Sequence, residues 1–526
     1  MELQHLKEIE SATAHGRGEL LRLGVVSLFL VATMLYAATL GSGASLILVV
    51  GAALAAYMAL NIGANDVANN VGPAVGARAM GLVSALSIAA VCEVAGALLA
   101  GGAVVDTVKG SILQRHLLTD GDTVVAVMLC ALLAGSIWLN VATALGAPVS
   151  TTHSIVGAVL GAGIAARGVE VINWETVVAI TTSWVASPLL GAGFAAAFLY
   201  AVKRSITYQP DMASAARRVV PYLMAAMTWT SIVFLLVKGL NRALVVELGA
   251  AGSFAVIPAT LVFLYMRARL RTRGHLIANT KEGVNKLFNP PLVFAAGLLS
   301  FAHGSNDVAN AVGPLAAILD ALGSAGTVRA LAGPPLWVLA IGAIGIAVGL
   351  ALFGPRVIRT IGTEITELDQ MRAFCIALAA TVTVVLASGI GLPVSSTHIV
   401  VGGVFGVGFL REFLKTAYER TVAEIKAHHP AGEQQALDAF LERFGQASVA
   451  EKDRLLKDLK ARSKNSEDPA NFSKSERKKL RKMYKQEVVK RSQLMRIAAA
   501  WVVTVPVSGV LAALLYTLLA QGVARA

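Results

Sequence analysis

The chain has 526 residues, of which 56% are AVILMFWYC and only 15% are charged, and its mean hydropathy is +0.67. Soluble chains carry roughly 25% charged residues, so this one belongs in a membrane, and fibrous, secreted and disulfide-scaffold classes are excluded. With 6% aromatics and 49 glycines it is poorly suited to a barrel with aromatic girdles and well suited to helices packed through small residues.

The N-terminal stretch MELQHLKEIESATAHGRGELLR is amphipathic and polar. The apolar run after it ends without a small-residue cleavage signal, which points to a retained helix and no export signal. Apolar runs between polar breaks then predict thirteen segments, at 22–40, 44–62, 79–104, 123–145, 148–168, 176–202, 220–239, 249–266, 290–303, 332–354, 373–391, 393–410 and 497–520. Most are close to the ~20 residues that an α-helix needs to cross a bilayer. Cys92, Cys130 and Cys375 lie in separate apolar runs and read as packing residues, too few and too scattered for a disulfide or thiolate framework.

If every segment crosses, most Lys and Arg fall on the side of the N-terminus, and the sign survives removal of the long 411–495 stretch. The positive-inside rule makes that side cytoplasmic, with the C-terminus outside. Residues 411–495 hold more than half of the net charge of +13, so the charge marks one loop and not a nucleic-acid surface. That loop has mixed charge at helical spacing and reads as a solvated helical cap, with anionic lipid or a regulatory partner as alternatives.

The chain is duplicated. Residues 63–77 (GANDVANNVGPAVGA) return at 304–318 (GSNDVANAVGPLAAI), an offset of 241, and residues 147–161 (APVSTTHSIVGAVLG) return at 392–406 (LPVSSTHIVVGGVFG), an offset of 245. An odd number of crossings separates the two NDVAN motifs, so the repeats face opposite ways, and treating 123–168 as a re-entrant hairpin leaves that parity unchanged. Inverted repeats meeting at the midplane are an architecture of secondary transporters.

Each NDVAN motif sets carboxylate and amide groups among apolar neighbours: Asn65, Asp66 and Asn69, then Asn306, Asp307 and Asn310. Gly63 and Gly304 before them and Gly72-Pro73 and Gly313-Pro314 after them predict a helix interruption that frees backbone carbonyls. Such oxygens are hard ligands for a small cation, and intramembrane carboxylates demand a partner. In the second motif, Pro148 or Pro393 precedes Ser150-Thr151-Thr152 or Ser395-Ser396-Thr397. These read as helix starts, whose free N–H groups favour an anion. Two copies would aim six hydroxyls at one point, a constellation for a tetrahedral oxyanion. The oxyanion beside two aspartates implies a co-transported cation. Glu93, inside the third segment, and the paired His153 and His398 are coupling candidates, the histidines either orienting hydroxyls or carrying protons. Asp106 and Lys109 read as interfacial.

GANDVANN and GSNDVANA, paired with PVSTTH and PVSSTH, closely resemble the inorganic phosphate transporter (PiT) family. The resemblance implies an all-α polytopic membrane protein with two inverted-topology repeats, broken helices or re-entrant hairpins, twelve core transmembrane helices and one extra N-terminal helix. It also implies cation-coupled uptake of inorganic phosphate, with Na+ the usual partner of this motif and H+ the partner of other members. Position by position it assigns phosphate to Asp66, Asn69, Ser150, Thr151, Thr152, Asp307, Asn310, Ser395, Ser396 and Thr397, and Na+ to Asn65, Asp66, Asn306 and Asp307. Glu93 matches a family glutamate. Three features depart from the pattern: segment 22–40 is extra, Ala377 in FCIALAA stands where sodium-coupled animal relatives have glutamate, and the long polar insertion sits at 411–495 instead of between the repeats.

The resulting organisation is an N-terminal arm and extra helix (1–43), repeat one (44–202), linking helices with a basic cytoplasmic loop (203–289), the first part of repeat two (290–410), the cytoplasmic insertion (411–495) and the last helix of repeat two (496–526). No cofactor is expected, and a homo-oligomer is compatible with the sequence. Sulfate is the competing substrate. Two unneutralised carboxylates favour phosphate over it, since protonated phosphate can donate a hydrogen bond to them and sulfate cannot. A membrane-embedded phosphate-ester enzyme using Asp66, His153 and Asp307 is disfavoured, because its residues would be duplicated by inversion without need and no G-x-x-x-x-G-K-[ST] loop occurs. A passive channel would want a continuous polar lining, which the clustered motifs do not provide.

Overall fold

Long runs rich in Ala, Leu and Val become helices here because in lipid each backbone N–H and C=O must find its partner within the segment. The computed structural model describes residues 2–40, 46–118, 120–145, 149–239, 246–273, 277–324, 333–364, 368–428, 438–443 and 492–525, with 455 and 458. Among these it is helical almost throughout, and no sheet occurs, only one isolated bridge between Leu113 and Ile172.

In chain order the main helices are α1 (Glu2–Thr39), α2 (Leu46–Gly76), α3 (Leu82–Ala100), α4 (Gly102–Gly110), α5 (Gly121–Ala144), α6 (Thr151–Arg167), α7 (Trp174–Val202), α8 (Met212–Phe234), α9 (Leu248–Arg273), α10 (Lys281–Lys286), α11 (Asn289–Ser324), α12 (Leu336–Glu364), α13 (Gln370–Gly389), α14 (Ser396–His428) and α15 (Ser492–Arg525). Single π-helical stretches extend α7 through Thr207 and α8 through Gly239. Among the described residues eleven helices are long and apolar enough to cross a membrane, which makes this an integral multi-pass membrane protein. Two of the thirteen expected segments are not among the eleven. Helix α6 has 17 residues, or ~26 Å at 1.5 Å per residue, short of the ~30 Å hydrocarbon core. Segment 290–303 is only the start of α11, whose middle carries the polar motif.

The expected interruption at the NDVAN motifs does not occur. Both α2 and α11 run unbroken through them, with Pro73 and Pro314 inside the helices. A proline removes one ladder bond, which packed neighbours in a bundle can tolerate. Gly63 and Gly304 are needed for close approach instead. A Cβ on Gly63 would overlap the carbonyl of Ile346 on α12, and one on Gly304 would overlap that of Glu93 on α3. They let two helix pairs cross at backbone contact. The true breaks lie at the α5–α6 and α13–α14 connections. Segment 79–104 also divides, at Gly101, into α3 and α4.

Packing partners exchange between the two halves of the chain. Helix α2 lies on α12 and α11 on α3, α6 lies on α15 and α14 on α7, and α5 and α13 flank α2 and α11 respectively. Each half therefore completes its core with the other's helices. Helix α1 packs on α2 and α12. The α8–α9 hairpin rests through α8 on α11 and through residues 235–239 on α3. Helix α14 carries the 393–410 segment on to His428, and most of the remaining insertion, including the expected cap beyond it, lies outside the described residues.

Candidate functional site

Four elements meet at the centre: the middles of α2 and α11 and the N-terminal ends of α6 and α14. Ser150 and Ser395 are the N-caps of the last two, their Oγ atoms accepting the backbone N–H of His153 at 3.2 Å and of His398 at 3.3 Å. The two hairpin tips face each other in the interior, where Thr152 donates to the carbonyl of Val394 at 3.0 Å. The rings of His153 and His398 lie 4.5 Å apart, edge to face, with Trp184 against His153 at 3.9 Å.

The first asparagine of each motif pins its own hairpin. Asn65 donates to the carbonyl of Val149 at 3.0 Å, while Asn306 donates to the carbonyl of Leu392 at 3.1 Å and accepts from the N–H of Val394 at 3.2 Å. The last asparagine reaches across. Asn69 donates to Thr397 at 2.8 Å, and its counterpart Asn310 donates to Thr152 at 3.1 Å. A hydrogen-bond lattice thus ties both repeats to one point, and the motif spacing supplies it: Asp66 and Asn69, or Asp307 and Asn310, share a helix face at i, i+3.

The aspartates lie inside this lattice, buried to about 1% exposure each. Thr151 lies 3.1 Å from Asp66 Oδ2 and 3.0 Å from Asp307 Oδ2, so its single hydroxyl proton serves either carboxylate. Asp66 Oδ1 also accepts from Thr397 at 3.0 Å, Asn65 at 3.1 Å and Asn69 at 3.3 Å. Asp307 Oδ1, Asn310 Oδ1 and Ser396 Oγ are buried and find no hydrogen-bond partner among the described residues.

Sequence reasoning missed His303, and it set Asn70 on the helix face of Asp66 and Asn69 without finding its partner. The His303 ring is fully buried, with Nε2 at 3.3 Å from Asp307 Oδ2 and 3.7 Å from Asp66 Oδ2, and Nδ1 at 3.2 Å from Glu93 Oε1. Asn70 donates to the same Glu93 oxygen at 2.7 Å. The signal was present, since His303 stands one helical turn before Asp307, but alignment of the repeats sets it opposite Ile62 and so concealed it. Asp66, His303 and Asp307 each offer one ligand atom within 4.8 Å of the others, and no lysine or arginine among the described residues pairs with these carboxylates. The coupling candidates therefore divide. Glu93 joins the centre through His303, whereas His153 and His398 meet each other behind the hairpin tips.

Chemically, the centre offers hydroxyl and amide donors with two helix N-termini for an oxyanion, and carboxylate and amide oxygens for a hard cation. Of the two residues expected at the end of the third segment, Asp106 is exposed and Lys109 pairs with Asp320 at 3.0 Å.

Comparison with known proteins agrees with this chemistry. Residues 62–512 match the model of the Phosphate transporter family. A protein named as a phosphate permease in Helicobacter pylori (strain ATCC 700392 / 26695) is 48% identical over 527 residues, covering 99% of both chains. One so named in Thermococcus kodakarensis is 38% identical over 362 residues, 67% of this chain and 86% of its own length. A solved structure described as the sodium-dependent phosphate transporter superimposes with a TM-score of 0.70 at 29% identity, covering 91% of this chain and 100% of that one.

Proposed function

We infer that this chain, which belongs to the phosphate transporter family, imports inorganic phosphate across the cell membrane by symport with Na+ through alternating access. One observation carries the reading: the hydrogen bonds from Asn69 to Thr397 and from Asn310 to Thr152 build a single buried site from both halves of the chain. Phosphate binds between the N-termini of α6 and α14, with Thr151, Thr152, Ser396 and Thr397 and the amides of Asn69 and Asn310 as donors. A protonated phosphate oxygen donates to Asp66 or Asp307, which favours phosphate over sulfate. Na+ takes Asp66 and Asp307 together with the amide oxygens of Asn65 and Asn306, offsetting the repulsion between the carboxylates and the anion.

The repeats carry the site alternately to the two faces; the reading is supported by the way each half packs on the other, α2 on α12 and α11 on α3, which lets one bundle rock about a shared site. The N-terminus and residues 411–495 lie in the cytoplasm, and the chain divides into an N-terminal arm with its extra helix, two repeats, the linking helices and the insertion. Proton coupling is the second reading, favoured by Ala377 on α13 and by the buried His303–Glu93 pair.

Uptake of radiolabelled phosphate by purified protein in liposomes tests this. An inward Na+ gradient is expected to drive accumulation that excess sulfate does not suppress. Accumulation with a proton gradient alone transfers the coupling to H+, and transport of sulfate in place of phosphate refutes the substrate.

A further inference from the structure

The strongest feature outside the transport site is the cytoplasm-facing end of the α8–α9 hairpin. The two helices are antiparallel neighbours: the rings of Tyr222 and Phe263 lie 4.8 Å apart, and the Trp229 indole donates to the carbonyl of Gly252 at 2.9 Å. This register sets Arg217 and Arg218 on α8 level with the last turns of α9, where Arg267, Arg269 and Arg271 are all exposed. Lys281 and Lys286 of α10 are exposed nearby, the segment being held to the start of α8 by Asn279, which accepts from the N–H of Ala213 at 3.1 Å.

None of the five arginines has a carboxylate partner among the described residues. Arg267 lies over the Phe263 ring at 5.9 Å and Arg269 reaches the Tyr265 hydroxyl at 3.4 Å. Those rings mark an aromatic belt of the kind that sits at headgroup level. Beside the belt and towards the membrane from it, Val256, Ile257, Leu261 and Leu264 are more than half exposed among the described residues.

We propose that this end of the hairpin is a binding surface for anionic phospholipid, with Arg267, Arg269 and Arg271 holding phosphodiester headgroups and the apolar face of α9 receiving acyl chains. The positive-inside rule alone is indifferent between lysine and arginine. Here the last two turns of α9 use only arginine, whose planar fork matches phosphate oxygens in pairs. Free phosphate has the same headgroup chemistry, but it gains nothing from the adjoining apolar surface, so the lipid is the better occupant. Because α8 and its π-helical extension rest on α11 and α3, a lipid held here would stiffen the support of the site-bearing helices. The surface is independent of the coupling ion.

The test is thermal unfolding of the full chain in detergent with added dioleoylphosphatidylglycerol, dioleoylphosphatidylcholine or inorganic phosphate. Phosphatidylglycerol is expected to raise the apparent Tm by about 3 °C or more, through linkage to the folded state, and phosphatidylcholine to raise it far less. The triple variant R267Q/R269Q/R271Q should keep the lipid-free Tm and any response to inorganic phosphate while losing the phosphatidylglycerol shift, and R267K/R269K/R271K should keep less than half of it. Equal shifts with the two lipids, or an undiminished shift in the Gln variant, overturn the surface. A full shift in the Lys variant overturns guanidinium recognition, and loss of a phosphate response in the Gln variant reassigns the patch to the free anion.

Discussion

The two halves of the site match in their frame and differ in one corner. Asn65 and Asn306 each pin a hairpin tip, and Asn69 and Asn310 each reach to the opposite tip. Behind the aspartates the likeness stops. The contacts of Gly304 with Glu93 and of Gly63 with Ile346 make Glu93 and Ile346 counterparts, and the offset of 241 pairs His303 with Ile62 and Asn70 with Ala311. A polar triad, Asn70–Glu93–His303, thus stands in one half where the other holds Ala311, Ile346 and Ile62. Frame residues are constrained by a fold that both halves must close, whereas the triad confers on Asp307 a neighbour that no symmetry requires.

Removing what the halves share should cost most. Asp66→Asn takes away the charge of the carboxylate on which Thr397, Asn65 and Asn69 converge, and Asp307→Asn takes away the charge 3.3 Å from His303 Nε2. Each is expected to slow phosphate uptake about a hundredfold, close to 2.7 kcal/mol, with the protein still inserted and folded. Initial rates in liposomes decide this, and unaltered ion dependence in both variants would remove these aspartates from coupling.

Making the halves alike is the next most damaging change. His303→Ile gives the second half the residue of the first and should lower uptake about tenfold. The reverse change, Ile62→His, puts an imidazole at a fully buried position and should lower stability by ~2 kcal/mol, visible in thermal unfolding. A double-mutant cycle sharpens the point: Glu93→Ile and His303→Ile together should be less harmful than their sum, with a coupling of ~1–3 kcal/mol. Additive losses would mean that the 3.2 Å contact carries no energy.

Symmetric changes to the frame should give small and equal effects. Ser150→Ala and Ser395→Ala each remove one N-cap and are expected to cost ~1 kcal/mol of stability. A large difference between them would show that one hydroxyl serves more than its helix.

Much of this was legible in the sequence because duplication exposes what both halves need. NDVAN and PVS(T/S)TH gave the residues of the frame, and proline followed by hydroxyls gave the helix starts at Thr151 and Ser396. The expected break at Gly63 and Gly304 failed, since a glycine needed for a helix crossing looks the same in sequence as one that ends a helix. The corner was hidden for the opposite reason. His303 has no counterpart in the other repeat, and reading by repetition discards what is not repeated; Asn70 was placed on the face of Asp66, but not against Glu93. Their partner Glu93 was visible as an intramembrane carboxylate, but its contact lies on another helix and is set by packing alone.

A phosphate site shared by both repeats should hold one anion per chain and need both Asn69 and Asn310. Equilibrium binding of radiolabelled phosphate to the purified chain in Na+, compared among wild type, Asn69→Ala and Asn310→Ala, tests it most directly. One phosphate per chain, with affinity reduced by either substitution, is the result expected. Two phosphates per chain, or full affinity in either variant, would contradict it.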